Sequence, residues 1–251
     1  MISYNPFTLE GKTVLVTGAS SGIGAATAVE CSKIGAHVLI TGRNKERLEG
    51  TFGKLDGTNH NLFLADLSIQ EDLEALVNEC PKLAGVVLCA GIGYTLPFPF
   101  CSRQKMDEVF NINFFAPVEL LRLLVKKKKL EQDSSVVFVS SVGGVNVFNV
   151  GNSIYGAAKG ALNTMMKQTA LELAQKHIRV NSVNPGMVET KLIHEGMSIT
   201  EDQLIEDEKR YPLGRYGEPD DIAKGIVYLL SDASCWMTGQ SLVLDGGLSL
   251  I

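Results

Sequence analysis

Seven short apolar runs punctuate this chain with helical patterns between most of them, and that alternation limits its possible folds more than any other feature. The runs are Thr13–Thr17, His37–Thr41, Asn61–Ala65, Gly85–Cys89, Ser135–Ser140, Ile178–Val183 and Ser241–Leu244. The early ones are apolar without polar alternation, as strands buried on both faces of a parallel sheet require. Helical patterns cover Ile23–Ile34, Ile69–Asn78, Ser153–Gln175 and Asp220–Leu230. Such repetition predicts an α/β chain with a doubly wound, mostly parallel seven-stranded sheet, helices on both faces, and ligands at the carboxyl ends of the strands. No linker, repeat or low-complexity tract divides the 251 residues, so one domain spanning 1–251 is expected. Within it, residues 186–217 mix helix and loop patterns and read as a segment covering the substrate cleft.

Charge and composition narrow the function. Lys and Arg total 23 against 28 Asp and Glu, a net charge of −5. A general nucleic-acid binder carries a basic surplus, so no nucleic-acid partner is expected. The five cysteines (Cys31, Cys80, Cys89, Cys101, Cys235) are scattered without a CxxC pair and read as reduced thiols. The opening MISYNPFTLEGK lacks the basic-then-apolar layout of a signal peptide, and no apolar run approaches a membrane span. The expected address is cytoplasmic, away from membranes. His37, His60, His177 and His194 show no ligand-like spacing, and no metal is expected.

Directly after the first run comes Thr17-Gly18-Ala19-Ser20-Ser21-Gly22-Ile23-Gly24, and a helix begins. Glycines there permit a tight turn and close backbone approach, so a pyrophosphate can sit on the free N–H groups of the helix. The strand–turn–helix context turns a loose glycine pattern into a dinucleotide cradle. At the end of the second strand, an acidic residue would hold an unmodified ribose 2′-hydroxyl, whereas arginine accommodates a 2′-phosphate. The sequence reads Thr41-Gly42-Arg43-Asn44, without a carboxylate, so NADP(H) is favoured over NAD(H). The bland alternative makes Arg43 a surface cation beside Glu46. Asp66, in Ala65-Asp66-Leu67, is placed either to accept from the adenine amino group or to cap the next helix.

Tyr155-Gly156-Ala157-Ala158-Lys159 puts a phenol and an ammonium on one helix face. A tyrosine of ordinary pKa, about 10, is a poor base near neutrality. A neighbouring cation would lower that value, and in the reducing direction the phenol donates its proton to the nascent alkoxide. Ser140-Ser141 ends the fifth run, where a hydroxyl can hold the substrate oxygen beside Tyr155. Tyr94, Phe98 and Phe100 follow the fourth run, to line a pocket or to pack beneath a loop.

Together these motifs resemble the short-chain dehydrogenase/reductase family, from about Gly11 to the end. TGASSGIG matches its TGxxxGxG, Asp66-Leu67 its adenine-ring position, Asn113 its catalytic asparagine, Ser141 its serine and YGAAK its YxxxK. Asn184-Pro185-Gly186 with Thr190 matches the segment contacting the nicotinamide carboxamide, and PLGRYGEPDDIA through MTGQSLVLDGG also reads as this family. The resemblance implies a Rossmann-type fold, a homotetramer and an oxidoreductase interconverting a carbonyl and a secondary alcohol on a small molecule. Ser141 would orient the carbonyl, Tyr155 act as acid and base, Lys159 lower the tyrosine pKa and bind the ribose, and Asn113 hold a water in a relay through Lys159. The cofactor contacts it implies are Gly18, Ser20, Ser21, Gly22, Ile23, Gly24, Arg43, Asn44, Asp66, Leu67, Ala90, Gly91, Tyr155, Lys159, Pro185, Gly186, Val188 and Thr190. Two departures stand out: Leu88-Cys89 replaces a usual asparagine pair, and Ser141 lies fourteen residues before Tyr155, one more than usual, leaving Ser140 as an alternative.

Three other readings follow. A 3-oxoacyl-acyl-carrier-protein reductase shares these motifs, while an enoyl reductase spaces its tyrosine and lysine farther apart. A non-catalytic dinucleotide sensor on the same fold would lack the tyrosine or the lysine. An acidic carrier protein needs a basic landing surface; Lys126–Lys129 is the densest basic run, followed by Lys167, Lys176 and Arg179. The competing account of Lys126–Lys129 is a solvated, dipole-favoured helix end.

Overall fold

The computed structural model describes residues 4–190, 193 and 201–251. Side chains along each central strand alternate between two faces, and both faces are buried. Val14, Val16, Val38, Ile40, Val87 and Val137 enter one core layer, while Leu15, Leu39, Val86, Val136 and Phe138 enter the other. Each such side chain contributes about 1.5–3 kcal/mol by leaving water, so the sheet centre is the thermodynamic heart of the fold.

The strands are β1 (Thr13–Thr17), β2 (His37–Gly42), β3 (Asn61–Leu64), β4 (Leu83–Leu88), β5 (Leu130–Val139), β6 (Arg179–Pro185) and β7 (Ser241–Leu244). All six pairings are parallel, in the order β3-β2-β1-β4-β5-β6-β7. Helices α1 (Gly22–Lys33), α2 (Lys45–Phe52), α3 (Gln70–Glu79), α4 (Arg103–Phe110), α5 (Ala116–Lys126), α6 (Ser153–Ala174), α7 (Glu201–Glu208) and α8 (Pro219–Leu230) complete the described elements. Leu48 of α2, Ala28 of α1 and Ile226 of α8 pack on one face; Leu76 of α3, Leu124 of α5 and Met166 of α6 pack on the other. The chain leaves β1 toward one edge and returns at β4 toward the other, which opens a crevice between β1 and β4 at their carboxyl ends.

All seven expected strands are present. The fifth begins five residues earlier than expected, at Leu130, because the pairing with β4 shifts register between Leu83 and Gly85. Asp133, at φ 61°, lies in the extra length. β3 is only half-buried, since it forms the sheet edge and lacks a neighbour on one side. The short α2 and α4 carry little apolar periodicity and become legible through their caps, where Asn44 accepts from Arg47 N at 2.9 Å and Ser102 from Lys105 N at 3.3 Å.

The basic run begins at the last residue of α5, Lys126, and precedes β5. Lys127 Nζ donates to Asn78 Oδ1 at 2.6 Å, and Lys129 Nζ donates to the carbonyls of Asn78 at 3.0 Å and Cys80 at 2.5 Å. These bonds satisfy carbonyls where α3 ends. The length of β5 then separates the lysines from Ser140–Ser141, a span of about 20 Å, since its paired length matches the six residues of β4 at about 3.3 Å each. Within one chain the expected landing surface therefore lies at the wrong end of the sheet. Arg179 is also no surface cation: it donates to Ser234 Oγ and Leu229 O at 2.9 Å.

Candidate active site

The turn after β1 is built around glycines that no other residue replaces without displacement. Gly18 has φ +66°, and a Cβ on it would stand 2.9 Å from the backbone of Ala90 at the end of β4. A Cβ on Gly24 would fall 2.4 Å from the carbonyl oxygen of Gly18. Gly22, at φ +54°, would meet the Thr190 methyl at 3.1 Å, so the segment after β6 folds back over the cradle. Ser21 caps α1 without a side-chain hydrogen bond, and its first turn holds no acidic residue. The N–H groups there face outward without a competing anion, which suits a pyrophosphate.

At the second strand, Gly42 lies against Ser20, whose atoms would be 3.4 Å from an added Cβ. Arg43 is exposed, and among the described residues no ion pair with Glu46 forms. Asn44 spends its side-chain oxygen on capping α2. Asp66 accepts from Ser68 N at 3.0 Å and Ser68 Oγ at 2.6 Å, and these bonds hold its carboxyl below the usual range. The residue that caps α3 is Ile69, so the capping alternative for Asp66 fails. Leu67 is buried in the core beneath it.

The catalytic candidates converge beyond β5. Ser140 is buried, and its Oγ donates to the Lys159 carbonyl at 3.1 Å. Ser141 points the other way: its Oγ accepts from Gly143 N at 3.1 Å and lies in hydrogen-bonding reach of the Tyr155 phenol. The longer spacing is absorbed in the loop, and Ser141 is the serine that faces the tyrosine. Lys159 is buried and donates from Nζ to Val139 O at 2.8 Å, with Nζ 5.7 Å from the centre of the Tyr155 ring.

One expected detail changes. Burial pushes Tyr155 up to about 12 despite the Ser141 hydrogen bond, and Lys159 is not what moves it. The ammonium is itself pushed down to about 8 by burial. Desolvation is the largest influence on the phenol, which keeps its proton at neutral pH. Asn113 is fully buried and uses both ends of its amide on Ile92: Oδ1 accepts from Ile92 N at 2.8 Å, and Nδ2 donates to Ile92 O at 2.7 Å. These two bonds fix the side chain against the loop after β4, and a second N–H and a second lone pair remain. The residue sits in a π-helical turn, Asn111–Phe115, and the position four ahead is Pro117, which has no N–H for the Asn113 carbonyl.

Ala90 and Gly91 follow β4 into the crevice, and Cys89 lies beside them. The Cys89 and Ala90 N–H groups both donate to Thr17 Oγ1, at 2.9 and 3.2 Å, which ties β4 to β1 without an asparagine side chain. Burial raises the Cys89 thiol to about 12. Pro185 ends β6, Gly186 N donates to Leu244 O at 3.1 Å, and Val188 bridges Gly217. Met187 N donates to the Tyr211 hydroxyl at 2.9 Å. Of the segment 186–217, residues 186–190, 193 and 201–217 are described; Tyr216 Oη there donates to Leu204 O at 2.9 Å, anchoring α7.

Beside the first turns of α6 lies a cleft of about 580 Å³, lined among others by Phe98, Gly143, Val147, Phe148 and Gly156, with no charged residue in its wall among the described residues. Phe98 thus reaches the cleft. Tyr94 instead packs beneath the loop, donating to Glu108 Oε1 at 2.6 Å with Lys105 Nζ 4.4 Å from its ring centre. Phe100 is exposed and outside that wall. His60 is structural: its Nδ1 accepts from Val38 N at 3.1 Å. His194 lies outside the described residues. Sequence reasoning missed Asn163 and Tyr211; the i, i+4, i+8 stripe Tyr155, Lys159, Asn163 was the available signal for the first.

Comparison with known proteins identifies the family and agrees with the fold. A family model described as enoyl-(acyl carrier protein) reductase matches residues 18–249. A 3-oxoacyl-[acyl-carrier-protein] reductase of Rickettsia felis is 33% identical over 243 residues, 97% of this chain and 99% of that protein. The structure of a 3-ketoacyl-(acyl-carrier-protein) reductase from Brucella melitensis complexed with NADH superposes with a TM-score of 0.86 at 30% identity, covering 96% of this chain and 100% of the other. A putative NAD(P) dependent gluconate 5-dehydrogenase from Beutenbergia cavernae, with bound NADP, gives a TM-score of 0.86 at 29% identity, covering 98% and 100%. The chain belongs to the short-chain dehydrogenase/reductase family and is one of its oxidoreductases.

Proposed function

We propose that this oxidoreductase reduces a small-molecule ketone, or oxidises the matching secondary alcohol, with NADP(H) preferred over NAD(H). One observation carries the reading: Ser141, Tyr155 and Lys159 meet at the carboxyl end of β5, across the crevice from the glycine cradle. The bound nicotinamide supplies or accepts the hydride. The chain handles the proton and the geometry.

In reduction, Tyr155 Oη holds the proton and passes it to the carbonyl oxygen, a role suited to a phenol that stays protonated at neutral pH. Ser141 Oγ donates to the same oxygen and fixes its place. Lys159 holds the nicotinamide ribose through Nζ. Asn113, buried beside Gly91 with Lys159 close by, holds a water in a proton relay through Lys159. Gly18, Ser20, Ser21, Gly22, Ile23 and Gly24 hold the pyrophosphate. Arg43 and Asn44 bind the 2′-phosphate end, and Asp66 with Leu67 the adenine. Ala90 and Gly91 form one cofactor wall; Pro185, Gly186, Val188 and Thr190 form the carboxamide side, beneath the covering segment 186–217.

Delivery of the substrate by an acyl-carrier protein is the second reading, favoured by the relatives named for that reaction. The four-residue Tyr155–Lys159 spacing argues against enoyl reduction, despite the name of the matched family model. Exposed Leu171, Trp236, Leu250 and Ile251 support a homotetramer, since apolar surface of this kind is ordinarily covered. Five free cysteines suit a cytoplasmic address.

The test is NADPH oxidation over keto-esters, sterols, sugars and acyl thioesters. Turnover of at least one ketone is expected. Tight NADPH binding with turnover of none would instead make the chain a dinucleotide sensor.

A further inference from the structure

Beneath the catalytic residues three buried side chains close a hydrogen-bonded ring. Asn163 Nδ2 donates to Asn184 Oδ1 at 2.9 Å, Asn184 Nδ2 donates to Ser182 Oγ at 3.0 Å, and Ser182 Oγ donates to Asn163 Oδ1 at 2.8 Å. Each member gives one hydrogen and takes one, all in the same sense, so every bond polarises the next. Ser182 and Asn184 are wholly buried and Asn163 nearly so.

The ring joins the parts of the site that must keep register. Asn163 lies one helical turn beyond Lys159 and two beyond Tyr155, on the same stripe of α6. Asn184 immediately precedes Pro185 and Gly186, on the proposed carboxamide side. The second Asn163 Nδ2 hydrogen is directed at the Gly144 carbonyl, 3.4 Å away, three residues after Ser141. That loop is seated hard on the helix: a Cβ on Gly144 would lie 2.6 Å from the Lys159 carbonyl carbon, and one on Gly156 would lie 2.8 Å from Gly143 O. One amide therefore touches the serine loop and the strand leading to the nicotinamide wall, from the helix that carries the tyrosine and lysine.

We propose that Asn163 is a positioning residue that sets the distance between the Tyr155–Lys159 stripe, the Ser141 loop and the Pro185–Gly186 wall through this ring. The inference rests on the proposed reductase reading. Its cost of failure is kinetic, because a misplacement of about 1 Å at a reacting centre can lower a rate about a hundredfold. A merely structural hydrogen bond of equal burial serves as the control. Ser135 Oγ donates to Leu229 O at 2.6 Å, is fully buried, and lies mid-strand in β5, five residues before Ser140.

The experiment compares Asn163→Leu, Ser182→Ala and Ser135→Ala. Three readouts are taken: melting temperature, kcat with NADPH and a ketone the wild type accepts, and amide hydrogen exchange of segments 142–146 and 184–190. All three variants are expected to melt earlier. Only the two ring variants should lose at least tenfold in kcat and exchange faster in those two segments. If kcat and local exchange in Ser182→Ala match those of Ser135→Ala, the proposal is overturned. Exchange reads the ring without turnover: a wild type inactive on every ketone sinks the reductase reading, while unchanged exchange in the ring variants sinks the clamp alone. Ser182→Ala removes a single hydroxyl, so the test survives if Asn163→Leu does not fold.

Discussion

The Lys159 ammonium donates a 2.8 Å hydrogen bond to the carbonyl of Val139, the last residue of the strand that leads into Ser141. Helix α6 and strand β5 are thus bonded to each other at the point where their functional side chains meet. Ser140 completes the joint from the strand side through the Lys159 carbonyl. The two adjacent serines differ in direction, one bonded into the framework and one facing Tyr155.

That difference is testable. Ser141→Ala should lower kcat about a hundredfold, as loss of an oriented donor at the reacting oxygen does, with melting little changed. Ser140→Ala should instead cost about 1 kcal/mol of stability through its buried bond. Equal kinetic losses in both would show that Ser141 holds no special place.

Tyr155→Phe should retain NADPH binding and lose at least about a hundredfold in kcat, the usual contribution of a general acid. Fluorescence titration with NADPH alongside steady-state rates separates the two effects. Near-normal turnover would refute the proton donor.

Cofactor preference follows from Gly42 and Arg43. A charge-assisted contact to a 2′-phosphate is worth about 1.5–3 kcal/mol, roughly ten- to a hundredfold in affinity. Gly42→Asp/Arg43→Ala should move preference from NADPH to NADH by about that factor. The backbone at Gly42 is not left-handed and a Cβ there makes ordinary contacts, so the change is sterically mild. A wild type that prefers NADH contradicts the assignment.

The pH profile reports Lys159. Its ammonium is held down to about 8, so in the free enzyme it is charged below that pH and loses its proton as the pH rises through it. Tyr155, raised to about 12, stays protonated across the same window. For ketone reduction kcat/KM should therefore be level below about pH 8 and fall above it, approaching tenfold per unit. A level profile to pH 10 would mean that the ammonium charge contributes nothing.

Light scattering should give a tetramer at micromolar concentration, and Leu171→Glu with Trp236→Glu should yield a smaller species. Both side chains are exposed in the single chain, Trp236 completely. A wild-type monomer would remove the assembly.

The sequence by itself determined the order of strands and helices, because parallel strands buried on both faces need uninterrupted apolar runs. It also determined the cradle and the Tyr155–Lys159 pair, whose residue types and short spacings are local properties. Tertiary structure decided the rest, since it depends on which distant segments meet. Only packing shows that Ser140 turns inward while Ser141 faces the phenol, that the Asn113 amide bonds to Ile92, and that Asn163 closes a ring with β6. Only the sheet direction shows that Lys126–Lys129 stand at the opposite end of β5 from the site. The tyrosine makes the same point: motif logic pairs it with a cation, but the folded chain buries both groups, and desolvation is the largest influence on each.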